Sequence, residues 1–394
     1  AAGMRGSEFD TFIDRRGTFC TQCDYIEDRF GTDNLLPFTI SDMDIACPKS
    51  LVYTLKKRIE HPIYGYSRWK NEDYLSAIVH WYASRYDCMI SKDWICYSPS
   101  VMYSIAKLLQ LCSEPRDGVL VFTPAYDSFY KVIENNQRRL ISSELLENAG
   151  YYQIDFEDVE EKCKEARILL LCNPHNPVGR VWKKQELQKL LQLCEKYDIT
   201  VISDDIHMDI TYKEKGIPVL KLASDCRCFI CSSPSKTFNI PSLQGSYVIL
   251  PDFKIYEAFE TMTRYTEFVN SPAILGVLST IEAYRHCAEW VDDLCSYLYD
   301  NLKYTESYIQ KHMPKLKFQI PEGCYFAWID FHELGIADAQ MQQFLIHEGK
   351  VAIMSGTVYG AKQHLRFHVG CSRSKVEDGL CRLKKTYDAI ERLK

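Results

Sequence analysis

Five continuous apolar runs, Val119-Leu-Val-Phe122, Ile168-Leu-Leu-Leu171, Thr200-Val-Ile-Ser203, Cys228-Phe-Ile-Cys231 and Tyr247-Val-Ile-Leu250, are what most restricts the fold of this chain. Each is too short for a buried helix and lacks the alternation of a strand with one wet face, so each predicts a strand covered on both sides. Between them, residues 183–197 carry Leu187, Leu190, Leu191 and Cys194 at helical spacing, the apolar stripe of a helix lying on a sheet. Strands alternating with such helices predict an α/β fold: a mainly parallel sheet with crossover helices. From about Ser271 to Met313 the pattern is helical, with Pro314 as a stop signal. The remainder reads as a smaller α+β unit: a strand over 325–329, a helix over 339–347, a strand over 365–369 and a terminal helix from Lys375. The expected organisation is a large domain at 51–290, a small C-terminal domain at 291–394, and an N-terminal segment at 9–50 packing on the small domain. Arg5-Gly-Ser-Glu-Phe9 resembles a vector remnant, so residues 1–8 are set aside.

Composition narrows the function classes. A chain of 394 residues, 46% hydrophobic and 25% charged, has the material for two ordinary cores. A net charge of −6 argues against a nucleic-acid surface, which needs concentrated Lys and Arg. No apolar run approaches the roughly 20 residues of a membrane helix, and a cytoplasmic protein is expected. The 17 cysteines are scattered, many inside apolar runs such as Leu169-Leu-Leu-Cys172, and read as reduced, mostly buried thiols. Cys20-Thr-Gln-Cys23 and Cys226-Arg-Cys228 each lack a second pair or a histidine at ligand spacing, so no metal site is expected.

In open α/β sheets ligands bind beyond the carboxyl ends of the strands, and residues with chemistry gather at those points here. Tyr97-Ser-Pro-Ser-Val-Met-Tyr103 runs into a helical pattern, which puts the N–H groups of Ser100, Val101 and Met102 at a helix N-terminus suited to phosphate. A plain serine cap is the alternative. Tyr126, just past an apolar run, is either a ring that stacks on a flat ligand or a core residue. In Asn173-Pro-His-Asn-Pro-Val-Gly179 two Asn-Pro steps impose a rigid loop, a means of aiming the Asn176 amide. Asp204 ends an apolar run, where a carboxylate is costly without a partner; the rivals are Asp205 in that role, or a structural cap. His207 either contacts a bound ring or sits as a hydrogen-bonded core histidine. Lys236 lies in the next strand-end loop, Cys231-Ser-Ser-Pro-Ser-Lys-Thr-Phe-Asn239. A lysine to form a Schiff base and an acid to pair with a pyridinium nitrogen are what pyridoxal phosphate (PLP) requires.

The set Asn-Pro-x-Asn-Pro-x-Gly, Ser-Asp-x-Ile-His, Ser-Lys-Thr-Phe-Asn and Gly370-Cys-Ser-Arg373 resembles the fold-type I PLP enzymes, the class I/II aminotransferases. Ser41-Asp-Met-Asp44, His61-Pro-Ile-Tyr-Gly-Tyr66 and Ser235-Lys-Thr-Phe-Asn-Ile-Pro-Ser-Leu-Gln-Gly245 resemble, more narrowly, the MalY/PatB branch of cystathionine β-lyases and related C–S lyases. The resemblance implies an aspartate-aminotransferase-like fold and a homodimer with shared active sites. It implies Lys236 as the Schiff-base lysine, Asp204 as the pyridinium partner, Asn176 on the phenolic oxygen and Tyr126 as the stacking ring. Ser100, Val101, Ser233 and Ser235 would cradle the phosphate, with Tyr64 reaching in from the other subunit and Tyr64 or Tyr126 serving the leaving sulfur. Arg373 would clamp the carboxylate of a small amino-acid substrate. Three positions depart from related patterns. His207 stands where aspartate aminotransferases carry Tyr, which favours the lyase; Gln244 stands near their phosphate-holding Arg; His368 replaces an Asn common in the lyase branch. The expected reaction is β-elimination of cysteine S-conjugates. An aminotransferase is the enzyme alternative, and a catalytically quiet PLP-fold binding protein the remaining one.

Overall fold

The computed structural model describes residues 8–223 and 225–394, so of the stretch set aside as a remnant only Glu8 falls within them. Its strands are β1 (Leu36–Phe38), β2 (Ile95–Ser98), β3 (Gly118–Thr123), β4 (Arg139–Glu144), β5 (Leu146–Asn148), β6 (Tyr151–Gln153) and β7 (Ala166–Cys172). They continue with β8 (Thr200–Asp204), β9 (Cys228–Ser232), β10 (Ser246–Ile249), β11 (Phe326–Asp330), β12 (Val351–Ser355) and β13 (His364–His368).

Seven of these form one sheet in the order β2-β10-β9-β8-β7-β3-β4. All its neighbours pair in parallel except β10, which is antiparallel to both β9 and β2. The five apolar runs are all in this sheet, and β7, β8 and β9 are buried almost throughout. The sequence reading missed its two edges. On β4 burial alternates and Arg139, Leu140, Ser142 and Glu144 are exposed, an edge pattern that lacks a continuous apolar run. On β2 the run is only Ile95 to Ser98, flanked by Trp94 and Pro99.

A second sheet, β1-β12-β13-β11, joins the N-terminal segment to the C-terminal part, since β1 pairs in parallel with β12. Between the sheets the expected helix over 271–313 is two, Ile274–His286 and Ala288–His312, meeting at the buried Cys287. Neither glycine nor proline marks that break in the sequence. The 183–197 helix is Lys184–Lys196 and buries its expected stripe of Leu187, Leu190, Leu191 and Cys194.

Gly179 closes the Asn-Pro loop at φ 76°, where an added Cβ would stand 2.3 Å from Pro321 Cβ and 2.8 Å from the Gly323 carbonyl. Only glycine meets both the left-handed backbone and the close approach. The loop therefore packs directly under 321–323, in the C-terminal part of the chain. Among the described residues no helix is long and apolar enough to cross a membrane, and no group of three or more His, Cys, Asp or Glu is placed to hold a metal. All 17 cysteines are free thiols.

Candidate active site

Strands β2, β3, β7, β8 and β9 point one way, so the loops after them open on one edge of the large sheet. Strand β10 runs oppositely and brings the residues before it, Gln244 and Gly245, to the same edge. There they enclose a cavity of 270 Å³ lined by Lys236, Asp204, Asn176, Tyr126 and His207, and by Ser100, Val101, Ser233 and Ser235. Nine residues singled out in the sequence thus share one cleft. A larger cavity of 560 Å³ lies around Tyr151, Arg180 and Glu322. Its buried arginine is already engaged by Glu186, Glu322 and the Tyr152 carbonyl, so it offers no free charge.

Lys236 Nζ donates to the Ser41 carbonyl at 3.0 Å. Burial holds the amine below the ordinary lysine pKa, against the opposing pull of Asp42 and Asp204. This favours the neutral, nucleophilic form. Asp204 lies at the end of β8 and accepts the Ile206 N–H at 3.1 Å. Burial pushes its pKa up to about 7, with the Ile206 bond and Lys236 pulling the other way. Asp205 turns away: Ser203 donates to its carboxylate, and it does not line the cavity.

Because burial outweighs the Ile206 bond and the pull of Lys236, Asp204 in the folded chain keeps its proton to higher pH than in the unfolded chain. Its folded pKa is raised, so folding binds a proton between about pH 4 and 7, and stability falls as pH rises through that window. Asp204→Asn removes the ionisation. In thermal melts the cofactor-free variant is expected to be more stable than cofactor-free wild type at pH 8, by on the order of a few kcal/mol, and equal to it near pH 4. Parallel melting curves across pH would show that Asp204 is not held in this state.

Ser100 caps the helix Val101–Cys112, its hydroxyl accepting the Tyr103 N–H at 3.1 Å. The other first-turn amides, Val101 and Met102, have no intrahelical acceptor and border the cavity. Ser233 Oγ accepts the Ser235 N–H at 3.1 Å and gives its own proton to the Gly245 carbonyl at 2.8 Å. Ser233 therefore braces the loop, leaving the Ser235 hydroxyl and the helix amides as the donors nearest an anion. His207 is fully buried, its ring edge-on to Tyr325 and Phe326, and its Nδ1 has no partner among the described residues. Burial lowers its pKa to about 3, so the ring is neutral.

Two assignments fall elsewhere. Arg373 begins the helix Arg373–Arg392, where its Nε donates to Asn301 at 2.9 Å and its guanidinium covers the Tyr304 ring. It does not reach the cavity. Arg366 stands directly behind the lining: it is 3% exposed and donates to Asn176 Oδ1 at 3.1 Å and Ser41 Oγ at 3.2 Å, both on residues that line the cavity, and to the Thr39 carbonyl at 2.9 Å. Its guanidinium lies 4.0 Å from the Phe326 ring centroid, and its Nε has no acceptor among the described residues. The signal for it was available, since a charge inside the apolar run Leu365-Arg-Phe-His-Val369 is costly unless it has a task. Tyr64 is exposed, bonded to the Ile59 carbonyl and covered by Arg58, and takes no part in its own chain's cavity.

The family described as Aminotransferase class I and II matches residues 33–383. The chain belongs to that family. Among its relatives, Protein MalY of Escherichia coli (strain K12) is 41% identical, covering 97% of this chain and 99% of its own. Cystathionine beta-lyase PatB of Bacillus subtilis (strain 168) is 35% identical over 95% and 98%. The PLP-bound C–S lyase from Staphylococcus hominis superposes with a TM-score of 0.91 at 29% identity, covering 96% of this chain and 97% of that one. The cleft of this class I and II family member has the donors such a cofactor asks for. A buried acid with a raised pKa and a buried lysine with a lowered one line the same cavity, free amides sit at a helix N-terminus, and two buried nitrogens, Arg366 Nε and His207 Nδ1, lack partners among the described residues.

Proposed function

We propose that this chain is a PLP-dependent C–S lyase that eliminates a thiol from cysteine S-conjugates such as cystathionine, releasing pyruvate and ammonia. The observation that carries the reading is the shared cleft of Lys236, Asp204 and Asn176, with Arg366 bonded to Asn176 behind it, in a chain 35% and 41% identical to PatB and MalY. When bound through Lys236, PLP supplies an electron sink for charge developing at the substrate's α-carbon.

The chain's own residues do the rest. Asp204 would pair with the ring nitrogen and keep it protonated, while the helix-terminal amides of Ser100 and Val101 and the Ser235 hydroxyl would hold the phosphate, with Ser233 fixing the 233–235 loop. Tyr126 would stack on the ring and Asn176 would bind its phenolic oxygen. Arg366 takes the substrate carboxylate in a planar fork. The Lys236 amine, whose pKa burial lowers, would remove the α-proton and hold it on Nζ. Burial raises the Tyr126 pKa, so its phenol keeps a proton to give to the departing sulfur. Assaying cystathionine, cystine and bulkier S-conjugates for free thiol and pyruvate tests this. The two should appear in equal amounts from at least one of them; no thiol from any would refute it.

The working unit we propose is a homodimer in which Tyr64 serves the partner's site. Ile63, Tyr64 and Tyr66 are 67%, 61% and 100% exposed in the single chain, a large apolar patch for a free surface. Mixing inactive Lys236→Ala with inactive Tyr64→Ala chains should regenerate wild-type sites in heterodimers. Verified heterodimers without activity would place Tyr64 outside the shared site.

A further inference from the structure

Strand β13 alternates, so Arg366 and His368 share the face turned from Leu365 and Phe367. Arg366 bonds the cleft residues Asn176 and Ser41; His368 is 2% exposed, against the rings of Tyr325 and Phe326. Both its nitrogens are engaged. The Asp42 carbonyl lies 2.6 Å from Nε2, and the Gly370 N–H donates to Nδ1 at 2.9 Å. A carbonyl only accepts and an amide N–H only donates, so the ring is held as the neutral Nε2–H tautomer. Burial favours that neutral form, lowering the pKa to about 4. The charged groups around it are mixed: Asp42 and Asp44 pull its pKa up, and Lys375 and Arg366 push it down. Gly370 permits the approach: a Cβ there would stand 2.6 Å from His368 Cε1 and 2.7 Å from Met43 Cγ.

The residue that His368 grips is one peptide from the atom that receives Lys236. The Ser41 carbonyl accepts both Lys236 Nζ and the Tyr325 hydroxyl, at 3.0 and 2.9 Å. On either side the segment is pinned: Gln22 accepts from Thr39 and Ile40, Asn239 brackets Met43, and Arg15 bridges Asp42 and Asp44. Among these contacts, the bond from His368 is the one to the Asp42 carbonyl, whose orientation is tied through a single residue to that of Ser41.

We infer that His368 is a positioning residue for the active-site lysine, fixing the Ser41 carbonyl that orients Lys236 Nζ by holding the next carbonyl in the chain. The inference rests on Lys236 being the reactive amine and is independent of the reaction the enzyme completes. A side chain that merely fills space would serve equally well as leucine.

Two amides separate the two roles of the ring. A glutamine at 368 extends an N–H to the position of Nε2 and reaches Asp42; an asparagine stops near Nδ1 and reaches only Gly370. The readout is the titration of Lys236 itself in the full-length, cofactor-free chain, by competitive acetylation across pH with peptide mass spectrometry. In His368→Leu the lysine loses a fixed acceptor for its ammonium form, and its apparent pKa should drop by about half a unit to one unit. His368→Gln should restore it and His368→Asn should not. In the loaded enzyme, kcat should fall about tenfold in His368→Leu and His368→Asn with KM within twofold, the mark of a misplaced base. An unchanged Lys236 titration in His368→Leu, or identical titrations in the Gln and Asn variants, would overturn the inference. If His368→Leu does not fold, the two amide variants alone decide it. Because acetylation uses no substrate, a failure of the lyase reading leaves this result standing.

Discussion

Arg366→Met should raise KM for a cysteine thioether by about 100-fold, close to 3 kcal/mol, the usual cost of losing a buried charge-assisted carboxylate contact. The site holds a guanidinium almost removed from water, braced on Asn176, Ser41 and Thr39, with two of its five N–H groups, Nε among them, left without an acceptor among the described residues. Lysine at this position should recover little, because an ammonium cannot keep those three contacts and also present a planar pair of donors. Arg373→Met should change KM less than threefold, since that guanidinium rests on Asn301 and Tyr304. A control separates carboxylate binding from general damage: an amine analogue lacking the carboxylate should react equally poorly with wild type and Arg366→Met. The opposite pattern, KM raised by Arg373→Met and unmoved by Arg366→Met, would restore the reading made from the sequence.

Lys236→Ala should lower turnover at least about 10,000-fold, the scale of removing the group on which a catalytic unit depends. The fold should survive. The Ser41 carbonyl keeps the Tyr325 hydroxyl as a donor, and the change removes a buried amine whose charged form burial disfavours. Small primary amines added to the variant should recover part of the activity, and larger ones none, because the space left is that of one side chain in an enclosed cleft. Turnover within tenfold of wild type would place the base elsewhere.

Much of this site was legible because its residues interrupt local rules. An acid ending an apolar strand, a lysine in a serine loop and two Asn-Pro steps are each costly as plain structure, and all three segments meet in the cleft. Arg366 broke the same rule and was passed over, because the Gly-Cys-Ser-Arg run supplied a nearer arginine. The two differ in ways the sequence does not show: the strand's parity puts 366 and 368 on one face, and the helix start at Arg373 sets that guanidinium on Asn301 and Tyr304. The role of His368 was not legible, since its bond to Asp42 joins segments far apart in sequence. The fold shows the same division. Buried strands declare themselves, whereas β4, half-exposed at an edge, and β1, which adds to the distant second sheet, carry no periodic signal of their own.

The claim that the chain eliminates sulfur is tested most directly by a progress curve with saturating cystathionine and no keto acid. Thiol and pyruvate should accumulate in equal amounts and without slowing over many turnovers, with the cofactor's absorbance unchanged. A burst of one equivalent that stops, with conversion of the cofactor to its amine form and resumption only when a keto acid is added, would contradict the account and identify an aminotransferase.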